Sequence, residues 1–250
     1  MKLDYASLLS PYPLYFPKMG HIKPLTLREI WQPEVTFQTY NWYLSLMHMT
    51  PQIYYRQVDP QKAECGPNLS MFDLISSDPG LREQYCSALN LFLEETISWN
   101  EHYQAFFTYT GKDEDGSTMP FGIIHRGIFG ELCQVILQLN GINSSETAFD
   151  ESKVKNKHAL KILQKIKKGQ ETQKKKGDSR MELPNMISAL SCRHSSINLA
   201  NIWDLTVYQL YDQFQRQQMN TVYDIKCMSL AAWGDKNNKF DYSEWFKNLN

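Results

Sequence analysis

"IWDLTVYQLYDQFQRQQMNTVYDIKCMSLAAWG", Ile202–Gly234, carries three Tyr, two Trp and one Phe in a single stretch. At roughly 100° per residue, Tyr208, Leu210, Tyr211, Phe214, Met219, Val222, Ile225 and Met228 share one side of a helix. Gln209, Gln213, Arg216, Gln217, Asn220 and Asp224 take the other side. The apolar arc is roughly 180° wide, against about 100° for an ordinary surface helix. That width suits a core helix wedged between two neighbours. It also admits, as the second reading, a helix that packs on one flank and offers the other to a partner helix. On this second reading the binding face is Tyr208, Tyr211, Phe214, Val222 and Ile225.

Upstream, the same periodicity recurs. In "VTFQTYNWYLSLMHM" Phe37, Tyr40, Leu44 and Met47 step by three and four residues. "SDPGLREQYCSALNLFLEE" opens with Asp78 as a cap and Pro79 at the first helical position, its φ already set. "GIFGELCQVILQLNGI" is helical and stops near Gly141. "PLTLREIW" predicts a short helix with Pro24 in its first turn. The opening "SPYPLYFPKMG" is broken by prolines and predicts an extended arm held by Tyr12, Leu14, Tyr15 and Phe16. Between two helical blocks, "ISWNEHYQAFFTYTGKDEDGSTMPFGIIHRG" sets β-branched and aromatic residues around a Gly/Asp/Ser loop, the pattern of a hairpin. "LPNMISALSCRHSSINLANIWDL" predicts one or two short helices, and "FDYSEWFKNLN" a short terminal one. The fold class is therefore mainly α (α+β), a multi-helix body with a small antiparallel β-hairpin insertion near residues 96–125.

Charge divides the chain. Between Asp150 and Arg180 stand ten Lys, one Arg and four acids, giving +7; the overall charge of −1 leaves −8 for the rest. The organisation that follows is a body with its arm and hairpin at 1–149, a lysine-rich helix and linker at 150–182, and an aromatic helical segment packing on the body at 183–250. "GQETQKKKGDSR", 169–180, has no apolar residue to offset its ordering entropy and reads as a mobile linker. Lys161, Lys165, Lys168, Lys174, Lys175 and Lys176 are the candidate phosphate contacts of a nucleic-acid-binding alternative. Yet no Phe, Trp or Tyr interrupts the block to stack on bases. A solvated helix and tether is therefore the reading that the block favours.

Catalytic templates fail at their spacings: GxSxG, HExxH, GxxxxGK[ST] and GxGxxG are all missing from the sequence. Cys192 and His194 in "SCRHS" stand two apart, so they face different sides of a helix. Asp113, Glu114 and Asp115 suggest calcium, but an EF-hand loop would need Glu where Ile124 stands. His102 and His125 lack a third ligand in sequence reach. The five cysteines are scattered, without a CxxC pair, which suits reduced thiols in a cytosol. No run of about 18 apolar residues marks a membrane span, and Asp4 with its neighbouring prolines breaks any signal-peptide pattern. The expectation is a non-enzymatic protein of the cytoplasm, with no metal and no cofactor. An enzyme assembled from dispersed Cys, His and acidic residues is the competing class.

"MKLDYASLLSPYP", "PLTLREIW" and "IWDLTVYQLYDQFQR" with "SLAAWGD" resemble proteins of the tail-morphogenesis region of long-tailed phages and prophages of Gram-positive bacteria. Those proteins look like tail assembly chaperones. The resemblance implies a partner, the long apolar tape-measure protein or another tail protein, and no catalytic residues. It covers the first 30 residues and about the last 55. The hairpin region has no place in it, which leaves a tail structural or host-interaction protein as the alternative.

Overall fold

The computed structural model describes residues 1–58, 69–111, 119–142, 182–235 and 240–249. The chain is mainly helical, with one two-stranded and one three-stranded antiparallel sheet among the described residues. It divides into two units. The first is Met1–Ile142 with Asp204–Tyr208; the second is Asn143–Trp203 with Gln209–Asn250.

The first unit combines helices that the sequence announces with others that it does not. Helix α1 (Tyr5–Leu9), strands β1 (Leu14–Phe16) and β2 (Gly20–Ile22), and helices α2 (Phe37–Met47), α3 (Pro51–Val58), α4 (Met71–Ser77) and α5 (Pro79–Phe92) come first. Strands β3 (Thr96–Asn100), β4 (Ala105–Tyr109) and β5 (Pro120–Ile124) and helix α6 (Arg126–Leu139) follow. At the head of α5, Asp78 Oδ1 accepts from Gly80 N–H at 2.8 Å and Leu81 N–H at 3.3 Å. Leu81, Tyr85, Ala88, Leu89 and Phe92 form its buried stripe. Between α5 and β3 the Asn90 amide acts as a surrogate strand. It accepts the Ile97 N–H at 2.8 Å and donates to the Ile97 carbonyl at 3.1 Å. Phe72, Phe106 and Phe129, with Tyr85 and Trp99, make edge and stacked contacts at 4.8–6.4 Å around the centre of this core. Such pairs add about 0.5–1.5 kcal/mol each beyond the area they bury.

Several expectations need correction. The predicted arm is partly helical and partly a hairpin. Asp4 caps α1 through the Ser7 N–H, and Leu14↔Ile22 to Phe16↔Gly20 pair antiparallel. Prolines flank these pieces without entering them. Tyr12 and Tyr15 are exposed, and the segment is held instead by Leu3, Leu8, Met19 and Ile22. "PLTLREIW" forms one turn and no helix. Thr26 and Glu29 make the reciprocal bonds of a helix start. The backbone on either side is diverted, however: Leu27 N–H donates to Leu205 O, and Val207 N–H to Leu25 O, both at 2.9 Å. Two of the segments that carry the tail-chaperone resemblance thus pair with each other, and Arg28 meets Asp204 at 2.7 Å beside them. The hairpin at 96–125 has a third strand, in the order β3-β4-β5. Helix α4 was not anticipated at all; its capping box, Ser70 with Asp73, is present in the sequence. The loop 112–118, with Asp113, Glu114 and Asp115, lies outside the described residues, as does the whole lysine block.

Glycine matters at the foot of the hairpin. Gly20 has φ +130, and a Cβ there would strike the carboxylate of Glu95. That carboxylate is buried. It accepts the His21 N–H at 2.8 Å and faces His21 Nδ1 at 2.7 Å.

Candidate functional site

Two helices of the second unit frame the site. Helix α7 (Leu183–Arg193) starts with Pro184 in its first turn, where a missing N–H costs nothing. Leu183, Met186, Ile187 and Leu190 are buried along one stripe. His194 ends the helix, its N–H donating to Leu190 O. The His194 Nδ1 then accepts from the Ser196 N–H at 3.2 Å and the Ile197 N–H at 3.1 Å. The imidazole that stood near Cys192 in sequence is therefore committed to a turn. His125 behaves alike, its Nδ1 accepting from Gly127 N–H at the start of α6. His102 stacks edge-on against Tyr103. Among the described residues no three His, Cys, Asp or Glu side chains gather as a metal site.

Helix α8 (Val207–Trp233) is the opening stretch of the sequence, 27 residues long. Its wide apolar arc is covered over one portion and open over another. Val207, Tyr208 and Leu210 are buried, and Val207 and Tyr208 count with the first unit. Tyr211 and Phe214 are half-buried, and burial pushes the Tyr211 phenol pKa upward. Beyond them the arc opens. Val222 is 51% exposed, Ile225 57% and Met228 63%. Of the five residues proposed for partner binding, the structure thus puts Tyr208 in a core and leaves Val222 and Ile225 open to solvent.

Between α7 and α8 lies a groove of about 430 Å³, within the size range of ligand sites. Ala189 and Leu190 line it from α7, with Phe214, Thr221 and Val222 from α8. Gln217, Gln218 and Arg193 supply its polar lining. The Thr221 hydroxyl is spent on its own helix, donating to Gln217 O at 2.8 Å. The sequence reading missed the α7 contribution, Leu190 and Arg193 above all. Its signal was the 183, 186, 187, 190 spacing followed by an arginine in the last turn.

The opposite flank of α8 is occupied by the C-terminal segment. Lys226 Nζ meets both oxygens of Glu244 at 2.6 Å, and Arg216 donates to Lys247 O at 2.6 Å. The Tyr223 and Phe240 rings lie 5.6 Å apart. Asp241, hydrogen-bonded by the Ser243 hydroxyl and N–H and paired with Lys247, has its carboxyl held down at about 2. The predicted terminal helix is reduced to one turn, Glu244–Phe246.

These features define a class, a helical module with an apolar groove and an open apolar stripe beside it. Residues 172–250 match the family model described as the YomV second domain, a phage-type domain of a Bacillus prophage protein. The match takes in α7, α8 and the C-terminal segment, and it supports a phage protein. No curated protein and no solved structure matches the chain. Among the described residues no helix is long and apolar enough to cross a membrane. Lys161, Lys165, Lys168, Lys174, Lys175 and Lys176 lie outside the described residues.

Proposed function

We propose that this chain is a non-enzymatic phage tail assembly protein that holds an apolar tail component, a tape-measure protein, in solution. The carrying observation is the open stripe of α8 beside the α7–α8 groove, inside the segment that matches a phage domain. Three side chains more than half exposed at 222, 225 and 228 leave apolar surface in water. Covering a side chain of this kind fully is worth about 1.5–3 kcal/mol. A phage protein that must keep a long apolar chain from aggregating needs such a surface. The groove lining is apolar, amide and guanidinium in character, which suits binding over chemistry. The N-terminal and C-terminal motifs that resemble tail chaperones pair through Leu25–Leu27 and Leu205–Val207, which agrees with their serving one structural purpose. Co-expression with a tape-measure protein tests the reading. The expected result is a soluble complex that survives size exclusion; a tape-measure protein that stays insoluble at equal expression overturns it.

A further inference from the structure

We propose that the α7–α8 groove and the stripe beyond it receive an amphipathic α-helix of the partner, with a carboxylate set against Arg193. The inference rests on the binding role proposed above and names the chemistry of the bound segment. Both walls of the groove are helices, whose backbone groups are already bonded internally. An extended peptide laid there would bring unpaired N–H and C=O groups onto an apolar floor. A helix arrives with those groups satisfied and needs only an apolar face.

Length follows from the stripe. Phe214, Gln218, Thr221, Val222, Ile225 and Met228 succeed one another at three- and four-residue steps or adjacent positions along α8. At 1.5 Å per residue they span roughly 21 Å, which a partner helix of about four turns would cover. The stripe runs on along α8 from the groove that α7 walls, so a helix seated in the groove would continue along it. Charge sets the flank. Arg193 is the single charged side chain among the described residues that line the groove. It is exposed and has no ion pair among the described residues. A Glu or Asp on the partner's edge would complete it, whereas a Lys or Arg would meet a like charge.

Two synthetic amphipathic peptides of about 16 residues, identical except for one Glu or Lys at the flank, serve as probes. Binding to the full chain is read by fluorescence anisotropy. The Glu peptide should bind about three- to fivefold more tightly than the Lys peptide, the scale of one exposed ion pair. Arg193→Glu should invert that preference, and Arg193→Gln should abolish it. Ile225→Glu should weaken both peptides roughly tenfold or more, since it removes buried apolar area and places a charge there. Circular dichroism melts confirm that each variant is folded. The proposal is overturned if neither peptide binds, if the charge preference is missing, or if Ile225→Glu changes nothing. Light scattering that shows a dimer dispersed by Ile225→Glu also overturns it, because a second copy then covers the stripe. A chain that ignores both peptides yet keeps a tape-measure protein soluble would refute the helix inference alone.

Discussion

Replacing Gly20 with alanine probes how the N-terminal hairpin is locked to the rest of the first unit. Gly20 has φ +130, a conformation that costs an L residue about 1–3 kcal/mol. The new Cβ would also lie against Glu95 Oε2, with Glu95 Cδ at 2.5 Å. The three nearest atoms all belong to the Glu95 carboxylate, so that group must move. Doing so strains or breaks its bonds to the His21 N–H and ring, and hydrogen bonds to a charged group are worth about 1.5–3 kcal/mol each. Strain plus one lost bond gives roughly 2.5–6 kcal/mol, or a fall in Tm on the order of 10 °C for a unit of this size. Gly111→Ala is the control. Its φ is +59 but nothing lies within 4 Å of the added Cβ, so only the backbone cost of about 1–2 kcal/mol applies. Thermal melts of Gly20→Ala in the native and Glu95→Ala backgrounds separate the two contributions. In the second background only the backbone part should remain. An equal loss in both backgrounds refutes the role given to Glu95.

Further expectations concern the core and the thiols. Asn90→Ala strips both backbone bonds from Ile97 and should cost about 2 kcal/mol in urea unfolding; a loss below about 0.5 kcal/mol would remove the strand-surrogate role. Cys192 is exposed, while burial pushes the Cys133 thiol up to about 12. Maleimide labelling followed by mass spectrometry should therefore mark Cys192 within minutes and Cys133 only on unfolding; early labelling of Cys133 contradicts its placement. The Asp73 carboxyl is depressed, first by the Ser70 N–H and then by the Ser70 hydroxyl and Arg126. A carboxyl with a folded pKa below its unfolded value adds stability above the unfolded value, and loses it as pH falls through the folded one. Asp73→Ala should accordingly flatten the loss of stability below about pH 4, measured by melts across an acid series; an unchanged acid slope refutes the linkage.

Much of the helical framework was legible because it rests on local chemistry. Asp78–Pro79 announces α5, and the three- and four-residue steps of α2, α6 and α8 survive in the structure. Failures came where distant backbone overrode a local signal. Thr26 and Glu29 form a capping box, but pairing of residues 25–27 with 205–207 stops the helix after a turn. Similarly, β5 is anchored partly from outside its own sheet, its Ile123 N–H donating to Lys18 O in the turn of the N-terminal hairpin. For the candidate site, periodicity showed that α8 has a broad apolar face. It does not say where along the helix that face is covered. Tyr208 and Ile225 fall within the same arc, yet one is buried and the other is open. Only the position of α7 reveals the groove and brings Arg193 to it.

Tyr211 is half-buried with a raised phenol pKa, so a charge there perturbs folding and binding together. Ile225, 57% exposed, is the better probe. The decisive measurement is the soluble fraction of a tape-measure protein co-expressed with the native chain, with Ile225→Glu, or with Ile123→Glu on the three-stranded sheet of the first unit. The account predicts that the native chain and Ile123→Glu keep it soluble, while a folded Ile225→Glu leaves it in the pellet. A folded Ile225→Glu that holds the tape-measure protein in solution as well as the native chain would contradict the account.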